Sequence, residues 1–518
     1  MGEPSIATIT KRELYFILGA LMMGMLLAAL DGTIVATALP TIVGDLHGAS
    51  HLSWVVVAYL LATTVSVPLW GKLGDLYGRK SFFQAAIVIF LVGSMLCGLS
   101  HTFVELIIFR ALQGLGGGGL MVGAQAIIAD VVSPRERGRY AGFFGATFGA
   151  ATVLGPLLGG FIVEYWSWRW IFYINLPLGI AALVVTAAVL PSSAKRVQHI
   201  IDYAGILVLT VAASALILFT SLGGTTLAWL SAPSLALLIG GLAVTVVFVF
   251  VERRSKEPIL APHLFTNRVF SSASAIGFVV GFAMYGALVF LPLYFQDVRG
   301  TSPTMSGLRL LPMMAGLFTT SIVTGFLVSR GWKYRPFPIL GTVVMTVGLI
   351  LLSTVNGSTS SVVLGLYMLV LGMGLGLVMQ ILVTAVQNSV APSDIGAATA
   401  GTNFFRSMGG SFGTAVFGAL YANELPHQLA SGFGVAGSPI LGLAPSSFTP
   451  ELLKKLPPGE LSIILHAIAS SIQKVYLWAI PFGIIAIFLS LTLPEIKLRT
   501  SVHQVADEVP MSNADPLL

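Results

Sequence analysis

The 518-residue chain is 56% hydrophobic and 9% charged, with a mean hydropathy of +0.91, where soluble domains carry roughly 25% charged residues. Those figures exclude the soluble globular classes and leave an all-α polytopic membrane protein. The net charge of +6 is spread over short loops rather than clustered, so no nucleic-acid partner is expected. The single cysteine, Cys97, lies in an apolar run and the eight histidines show no ligand spacing, so no disulfide, metal or cofactor is anticipated.

Hydrophobic runs separated by short polar breaks give fourteen candidate spans, at about 14–40, 52–71, 81–100, 104–130, 140–164, 168–190, 203–222, 232–251, 269–296, 304–329, 336–354, 361–386, 398–422 and 474–494. All are helix-length rather than the alternating ten-residue segments of an outer-membrane barrel. The first run is too long for a signal-peptide core and lacks a cleavage site. It also contains one acid, Asp31. A carboxylate at the centre of the ~30 Å hydrocarbon core costs roughly 2.5–3.5 kcal/mol, so Asp31 must be paired, protonated or facing water. A place among the lipid headgroups is the alternative.

Loop charge gives the orientation. One set of loops, with both termini, carries 19 of the 27 Lys and Arg residues; the opposite set carries five, and Arg110, Arg309 and Arg406 fall inside spans. The positive-inside rule puts both termini in the cytoplasm, in a plasma (inner) membrane protein. The order is then a cytoplasmic N-terminus (1–13), a six-helix half (14–190), two inserted helices (203–251), a second six-helix half (269–494) and a cytoplasmic tail (495–518). The halves show an internal echo: Gly71-Lys72-Leu73-Gly74-Asp75 follows the second helix of one, and Gly325-Phe326-Leu327-Val328-Ser329-Arg330 that of the other. Secondary transporters are commonly built from such repeats, with substrate held between them near mid-bilayer.

Residues 423–473, with six prolines, read as a long outer loop whose last part, Leu461 to Ile472, is amphipathic enough to lie on the membrane surface. It is either an insertion without a role or a docking place for an outer partner or lipid. The tail from Thr500 is polar.

Five stretches carry a family resemblance. Gly71-Lys72-Leu73-Gly74-Asp75-Leu76-Tyr77-Gly78-Arg79-Lys80 closely resembles the cytoplasmic signature of the major facilitator superfamily. Its chemistry is readable directly: the glycines allow a tight turn, and Asp75 can pair with Arg79 or cap a neighbouring helix N-terminus. Asp130 and Pro134-Arg135-Glu136-Arg137-Gly138-Arg139 lie on the same side, so a charge network can latch that face. Leu30-Asp31-Gly32-Thr33 through Pro40, Arg110-Ala111-Leu112-Gln113-Gly114 and Gly142 through Gly155-Pro156-Leu157-Leu158-Gly159-Gly160 are similar to first-, fourth- and fifth-helix motifs of drug:proton antiporters, with Ala151 where glycine is usual. Trp168-Arg169-Trp170-Ile171-Phe172-Tyr173-Ile174-Asn175-Leu176-Pro177-Leu178-Gly179 and fourteen spans resemble the EmrB/QacA-type branch. The resemblance implies a major facilitator fold and a proton-coupled exporter of amphiphilic or cationic drugs working by alternating access. It also implies that Asp31 takes up and releases protons with Arg110 beside it.

Depth agrees with that pairing. Asp31 lies about 13 Å below the outer end of its helix and Arg110 about 9 Å below the same face, at ~1.5 Å per residue. The pair either moves protons or only holds two helices together. If it moves protons, cationic drug and proton can compete for the one carboxylate. Arg406 has no obvious acid in its own half; Asp75 or helix carbonyls are candidates. Met25, Gln113, Tyr285, Met379, Gln380 and Arg406 are candidates for lining a substrate site.

Two enzyme-like patterns carry nothing. Gly409-Gly410-Ser411-Phe412-Gly413 and Gly114-Leu115-Gly116-Gly117-Gly118-Gly119 both fall inside spans, without the strand–turn–helix context such chemistry needs. No Gly-Lys-Ser/Thr phosphate loop is present, so the chain reads as a secondary transporter rather than an enzyme. Partners are a small amphiphile, protons and the bilayer. The alternatives are an exporter of a lipid or cell-envelope metabolite, and a membrane sensor or scaffold that transports nothing.

Overall fold

The computed structural model describes residues 11–46, 52–132, 134–190, 202–223, 227–433 and 457–497, and their regular structure is helical. The long helices are α1 (Lys11–Asp45), α2 (Leu52–Tyr77), α3 (Arg79–Leu99), α4 (Phe103–Val131), α5 (Pro134–Tyr165), α6 (Asn175–Val189) and α7 (Tyr203–Leu222). They continue with α8 (Ala232–Arg254), α9 (Arg268–Leu293), α10 (Leu311–Ser329), α11 (Pro336–Leu352), α12 (Ser361–Ser389), α13 (Ile395–Phe433) and α14 (Pro458–Leu491). Among the described residues, 11 helical stretches are long and apolar enough to cross a membrane, and Gly149–Tyr165 and Pro336–Leu352 are shorter apolar helices.

Local chemistry sets the ends. Thr102 and Glu105 form a reciprocal capping box at the start of α4. Asn267 accepts from the amides of Val269 and Phe270 at the start of α9. Two expected spans are interrupted. Residues 168–190 form a single turn, Trp170–Tyr173, and then α6. Residues 304–329 divide at Leu310, because Pro312 opens α10 and has no amide to carry a helix through from Pro303–Arg309.

Segment 423–473, expected as a long outer loop, departs most from expectation. Its first part continues α13 to Phe433 and its last part begins α14 at Pro458, while 434–456 lie outside the described residues. At ~1.5 Å per residue the two helices are about 58 and 51 Å long, well beyond the ~30 Å hydrocarbon core. Leu461–Ile472 is therefore not a surface-lying amphipath. Ile464, Ile468 and Ile472 are buried against a cluster that includes Leu425 and Leu429 of α13, and Lys474 Nζ meets Glu424 Oε1 at 2.5 Å. Prolines misled the reading: Pro426 sits inside α13 and Pro458 in the first turn of α14, where its missing amide costs nothing.

Small residues set the helix spacing. A Cβ on Gly114 would stand 2.5 Å from the Tyr59 carbonyl, and one on Gly118 2.6 Å from that of Thr63, so this edge of α4 lies against the α2 backbone. Gly116 does the same against Phe90 and Ala86 of α3. The glycine run that mimics a dinucleotide fingerprint is thus a packing surface. The later helices repeat it: Gly372 and Gly376 of α12 face Met313 and Leu317 of α10, and Gly374 faces Met345 of α11. Gly78 after α2 and Gly331 after α10 both have positive φ, 100° and 96°.

Largest among the buried clusters is one drawn from residues 261–493 with Ala129 of α4; others belong to residues 17–190. A further cluster joins α2, α4, α7, α8 and α13. Gly118→Val places two methyls where the Thr63 carbonyl already sits. Overpacking of this kind typically costs about 1–3 kcal/mol, and thermal unfolding in detergent should show a lower midpoint than for Gly32→Ala, whose Cβ meets nothing within 4 Å.

Candidate functional site: a buried charge cluster and an acid-capped helix

Five helices meet at Asp31. Its carboxylate is 0% exposed and Arg110 is 1% exposed. Arg110 Nη1 donates to Asp31 Oδ2 at 2.5 Å and to Gln113 Oε1 at 2.8 Å, while Gln113 Nε2 donates to Asp31 Oδ1 at 2.8 Å. The i, i+3 spacing of Arg110 and Gln113 puts both on one face of α4, closing a ring around the carboxylate. Asn175 Nδ2 approaches Asp31 Oδ1 at 3.4 Å and donates to Ser94 Oγ at 3.0 Å. The guanidinium lies over the Tyr59 ring, with 4.1 Å from Cζ to the centroid, and its Nε points at the Val55 carbonyl. Tyr59 in turn donates to the Ala28 carbonyl of α1 at 3.2 Å. Charge, hydrogen bonds and an aromatic face thus offset the desolvation of both ions.

The helix that carries Asp31 is clamped from behind by α5. Thr33 Oγ1 donates to the Ala151 carbonyl at 3.0 Å. A Cβ on Gly155 would stand 2.6 Å from Thr33 Cβ, and one on Gly159 3.1 Å from the Ile34 carbonyl. Pro156 lies inside α5, followed by the half-buried Gly160. At Gly149, α5 also meets Phe318 of α10, so one helix touches both the Asp31 helix and the later set.

At the other end of α2, Asp75 has two sets of partners. Arg79 Nη2 donates to its Oδ1 at 2.8 Å, and Arg79 Nη1 reaches Asp130 Oδ1 at 2.9 Å and the Ala126 carbonyl. The same carboxylate accepts from the Gly396 amide at 3.0 Å and the Ala397 amide at 2.8 Å, at the N-terminus of α13. A helix N-terminus presents free amides and partial positive charge, so an acid held there is favourable. Gly71 permits the approach: its Cβ would stand 2.5 Å from both the Gly396 carbonyl and Ala400 Cβ. Gly78 makes the turn that returns Arg79 to Asp75, and Lys80 Nζ donates to the carbonyls of Ala187 and Leu190 at the end of α6.

A second tie, missed by sequence reasoning, lies beside the Asp75 cap. Asn403 Nδ2 donates to Gln125 Oε1 at 2.7 Å, and Gln387 Nε2 to the Gln125 carbonyl at 3.2 Å, joining α4 to α13 and α12. Isolated amides in apolar helices were the available signal, because each needs a partner in hydrocarbon. Tyr59, Ser94 and Asn175 around the carboxylate were likewise unassigned. Just past α10, buried Tyr334 fastens the chain beyond α14, donating to the Pro494 carbonyl at 2.6 Å and accepting from the Ile496 amide. Burial pushes its phenol up to about 12.

The remaining candidates are dispersed. Met25 is fully buried in a cluster with Phe83 and Phe90, so it packs rather than lines a cavity. Gln113 belongs to the charge cluster. Met379 and Gln380 are half-buried on α12, and Arg406 is half-buried on α13 with its backbone against Gly281. Asp75 is not the counterpart of Arg406: it binds residues 396 and 397, about 15 Å away along the helix at ~1.5 Å per residue. The side chains of Arg137 and Tyr285 lie outside the described residues. Because Asp31 is enclosed on every side, substrate does not meet this carboxylate in the conformation seen, and a direct contest with a proton for its oxygens would require the helices to part.

A model of the Major Facilitator Superfamily matches residues 21–414. The chain belongs to the major facilitator superfamily. Relatives include the multidrug transporter protein MdtP of Bacillus subtilis, 39% identical with 94% of each chain covered, and multidrug resistance protein 3 of the same organism, 35% identical with 94% of this chain and 96% of that one covered. An uncharacterised MFS-type transporter of Mycobacterium tuberculosis is 46% identical over 98% of this chain and 73% of its own. Among solved structures, the human organic anion transporter MFSD10 has a TM-score of 0.62 at 15% identity, covering 92% of this chain and 100% of that one. The proton:xylose symporter XylE has 0.61 at 14%, covering 94% and 97%. Those likenesses establish the major facilitator fold. As a member of this superfamily the chain is an integral membrane transporter of small molecules and not an enzyme.

Arg110→Leu leaves a buried carboxylate without its counter-ion, which typically costs about 3–5 kcal/mol. Adding Asp31→Asn to that variant should recover most of the loss, so the double variant should melt above the Arg110→Leu single in detergent. If the two losses simply add, the pair is not coupled.

Proposed function

We propose that the chain is a proton-coupled exporter of amphiphilic or cationic compounds that works by alternating access. In this reading α1–α14 all span the membrane, as two six-helix halves (α1–α6 and α9–α14) with α7 and α8 inserted, and both termini lie in the cytoplasm. The glycine faces of α4 and α12, and the matching turns at Gly78 and Gly331, support the two-half division. Two multidrug relatives at 35–39% identity support export of drug-like cargo.

The observation that carries the proposal is the enclosed Asp31–Arg110–Gln113 ring. A proton arriving at Asp31 cancels the charge that holds Arg110, leaving a buried cation over Tyr59. A protonated carboxyl also needs an acceptor, and Asn175 Oδ1 is a buried acceptor without a hydrogen-bond partner among the described residues. Rearrangement at α1 is transmitted to α5 through the Thr33–Ala151–Gly155 contact, and from α5 to α10. The Asp75 cap and the Gln125–Asn403 tie hold the cytoplasmic side shut here and must part for loading. Cargo and proton thus communicate through helix position rather than through shared occupancy of one carboxylate. An inward proton draws on about 2.3 kcal/mol per 100 mV of inside-negative potential, plus the pH gradient.

The second reading keeps the fold and changes the cargo to a lipid or cell-envelope metabolite. It is favoured by the packed extensions of α13 and α14, which in this orientation project outward and offer a platform to an outer partner. Replacing residues 434–456 with a Gly-Ser linker should leave drug export intact in the first reading and abolish function in the second.

In proteoliposomes, Asp31→Asn should abolish substrate-driven proton release, while the Asn side chain still accepts from Gln113 and keeps the helices together. Undiminished antiport in a variant with normal melting behaviour would remove Asp31 from proton transfer. Gly71→Val should separate α2 from α13 and lower the yield of a disulfide between cysteines introduced at 72 and 394.

A further inference from the structure

Between the inserted pair α7–α8 and helices α9 and α13 lies a cleft of about 460 Å³, inside the ~300–1,000 Å³ range of ligand pockets. Its walls are aromatic: Phe248, Phe265, Phe278, Phe404, Phe405 and Phe412 all line it. Phe265 meets Phe405 edge-on at 6.1 Å, and Phe278 is tilted against Phe412 at 6.2 Å. The polar groups along it are few and mostly satisfied. Thr245 Oγ1 donates to the Gly241 carbonyl at 2.7 Å. Glu252 accepts from the amides of Ile259 and Leu260 at 3.3 and 3.2 Å, pinning the connecting segment across one end of the cleft. Arg253 is different. It lines the same end, is exposed, and has no hydrogen-bond or ion-pair partner among the described residues.

The dimensions choose the occupant. From Thr245 to Arg253 the cleft runs about 12 Å along α8 at ~1.5 Å per residue, most of the ~15 Å depth of one leaflet. About 460 Å³ over that length is a section of roughly 40 Å², too small for a packed helix ~10–12 Å across, whereas a single chain of methylenes fits between the rings. The apolar length ends at an unpaired cation, the arrangement by which basic groups between transmembrane helices hold lipid headgroups. We propose that this cleft is a lipid site, holding one acyl chain of an anionic phospholipid of the cytoplasmic leaflet with its phosphate against Arg253. Choice of leaflet rests on the orientation proposed above; the site itself does not depend on export. Its back wall is the α13 face that carries Phe404 and Met408, on the helix whose first turn Asp75 caps. A bound chain therefore wedges the inserted pair against the same helix that Asp75 holds.

Native mass spectrometry of the full chain, delipidated in mild detergent and titrated with dioleoylphosphatidylglycerol or dioleoylphosphatidylcholine, tests this without reference to transport or orientation. One phosphatidylglycerol per chain should be retained at lipid concentrations about five-fold below those needed for phosphatidylcholine, the scale of roughly 1 kcal/mol per basic residue near anionic lipid. Arg253→Gln should abolish that preference, and Leu216→Trp, which fills the cleft, should abolish the retained adduct. Arg253 is exposed, so its variant decides the matter even where the tryptophan perturbs the bundle. Equal retention of the two lipids by the wild-type chain, or an undiminished preference in Arg253→Gln, overturns the assignment.

Discussion

Two opposite charges buried beside each other govern the first half of this molecule. Taking Asp31 and Arg110 out of water costs several kcal/mol per ion even after relaxation, so each neighbouring helix must contribute something polar or polarisable at one depth. α1 supplies the acid and α4 the base with Gln113. From α2 come Tyr59 and the Val55 carbonyl, from α3 Ser94, and from α6 Asn175. The cluster therefore fixes the rotation of five helices about their axes, which hydrophobic packing among near-identical aliphatic surfaces would leave loosely specified. Under the proposed proton coupling, it is this network whose rotation a single proton at Asp31 would release.

Backbone proximity sets the second constraint. Without a hydrophobic force between helices in lipid, close van der Waals contact and polar ties must hold them. Glycines at Gly114, Gly116 and Gly118 bring α4 onto two neighbours, and Gly155 and Gly159 bring α5 onto α1. The last contact reaches furthest, because α5 also touches Phe318 of α10. Rigid, gapless seams transmit displacement, since a packed interface switches between arrangements instead of deforming smoothly.

Much of this was legible in the sequence, for identifiable reasons. An acid and a base inside apolar runs advertise each other, and depth along two antiparallel helices brought Asp31 and Arg110 to one level. Asp75 was readable as either a partner of Arg79 or a helix cap; it is both. Illegible features were those that depend on azimuth or on proline context. Met25 looks like cavity lining until its face of α1 is known, and Pro426 and Pro458 read as loop signals although one lies within a helix and the other starts one. Tyr59 and Asn175 are ordinary residues by composition, and only the convergence of helices makes them neighbours of a charge.

The cap on α13 has an evolutionary corollary. What Asp75 grips are the amides of Gly396 and Ala397, which every residue but proline possesses. One side of this contact is therefore a side chain and the other a pair of peptide groups, which meet because Gly396 has no Cβ to stand 2.5 Å from Asp75 Oδ1. Substitution at 397 leaves that amide in place, whereas a side chain at 396 takes the room that the carboxylate occupies. The receiving helix can thus vary at one of the two positions that hold the acid and is held to glycine at the other.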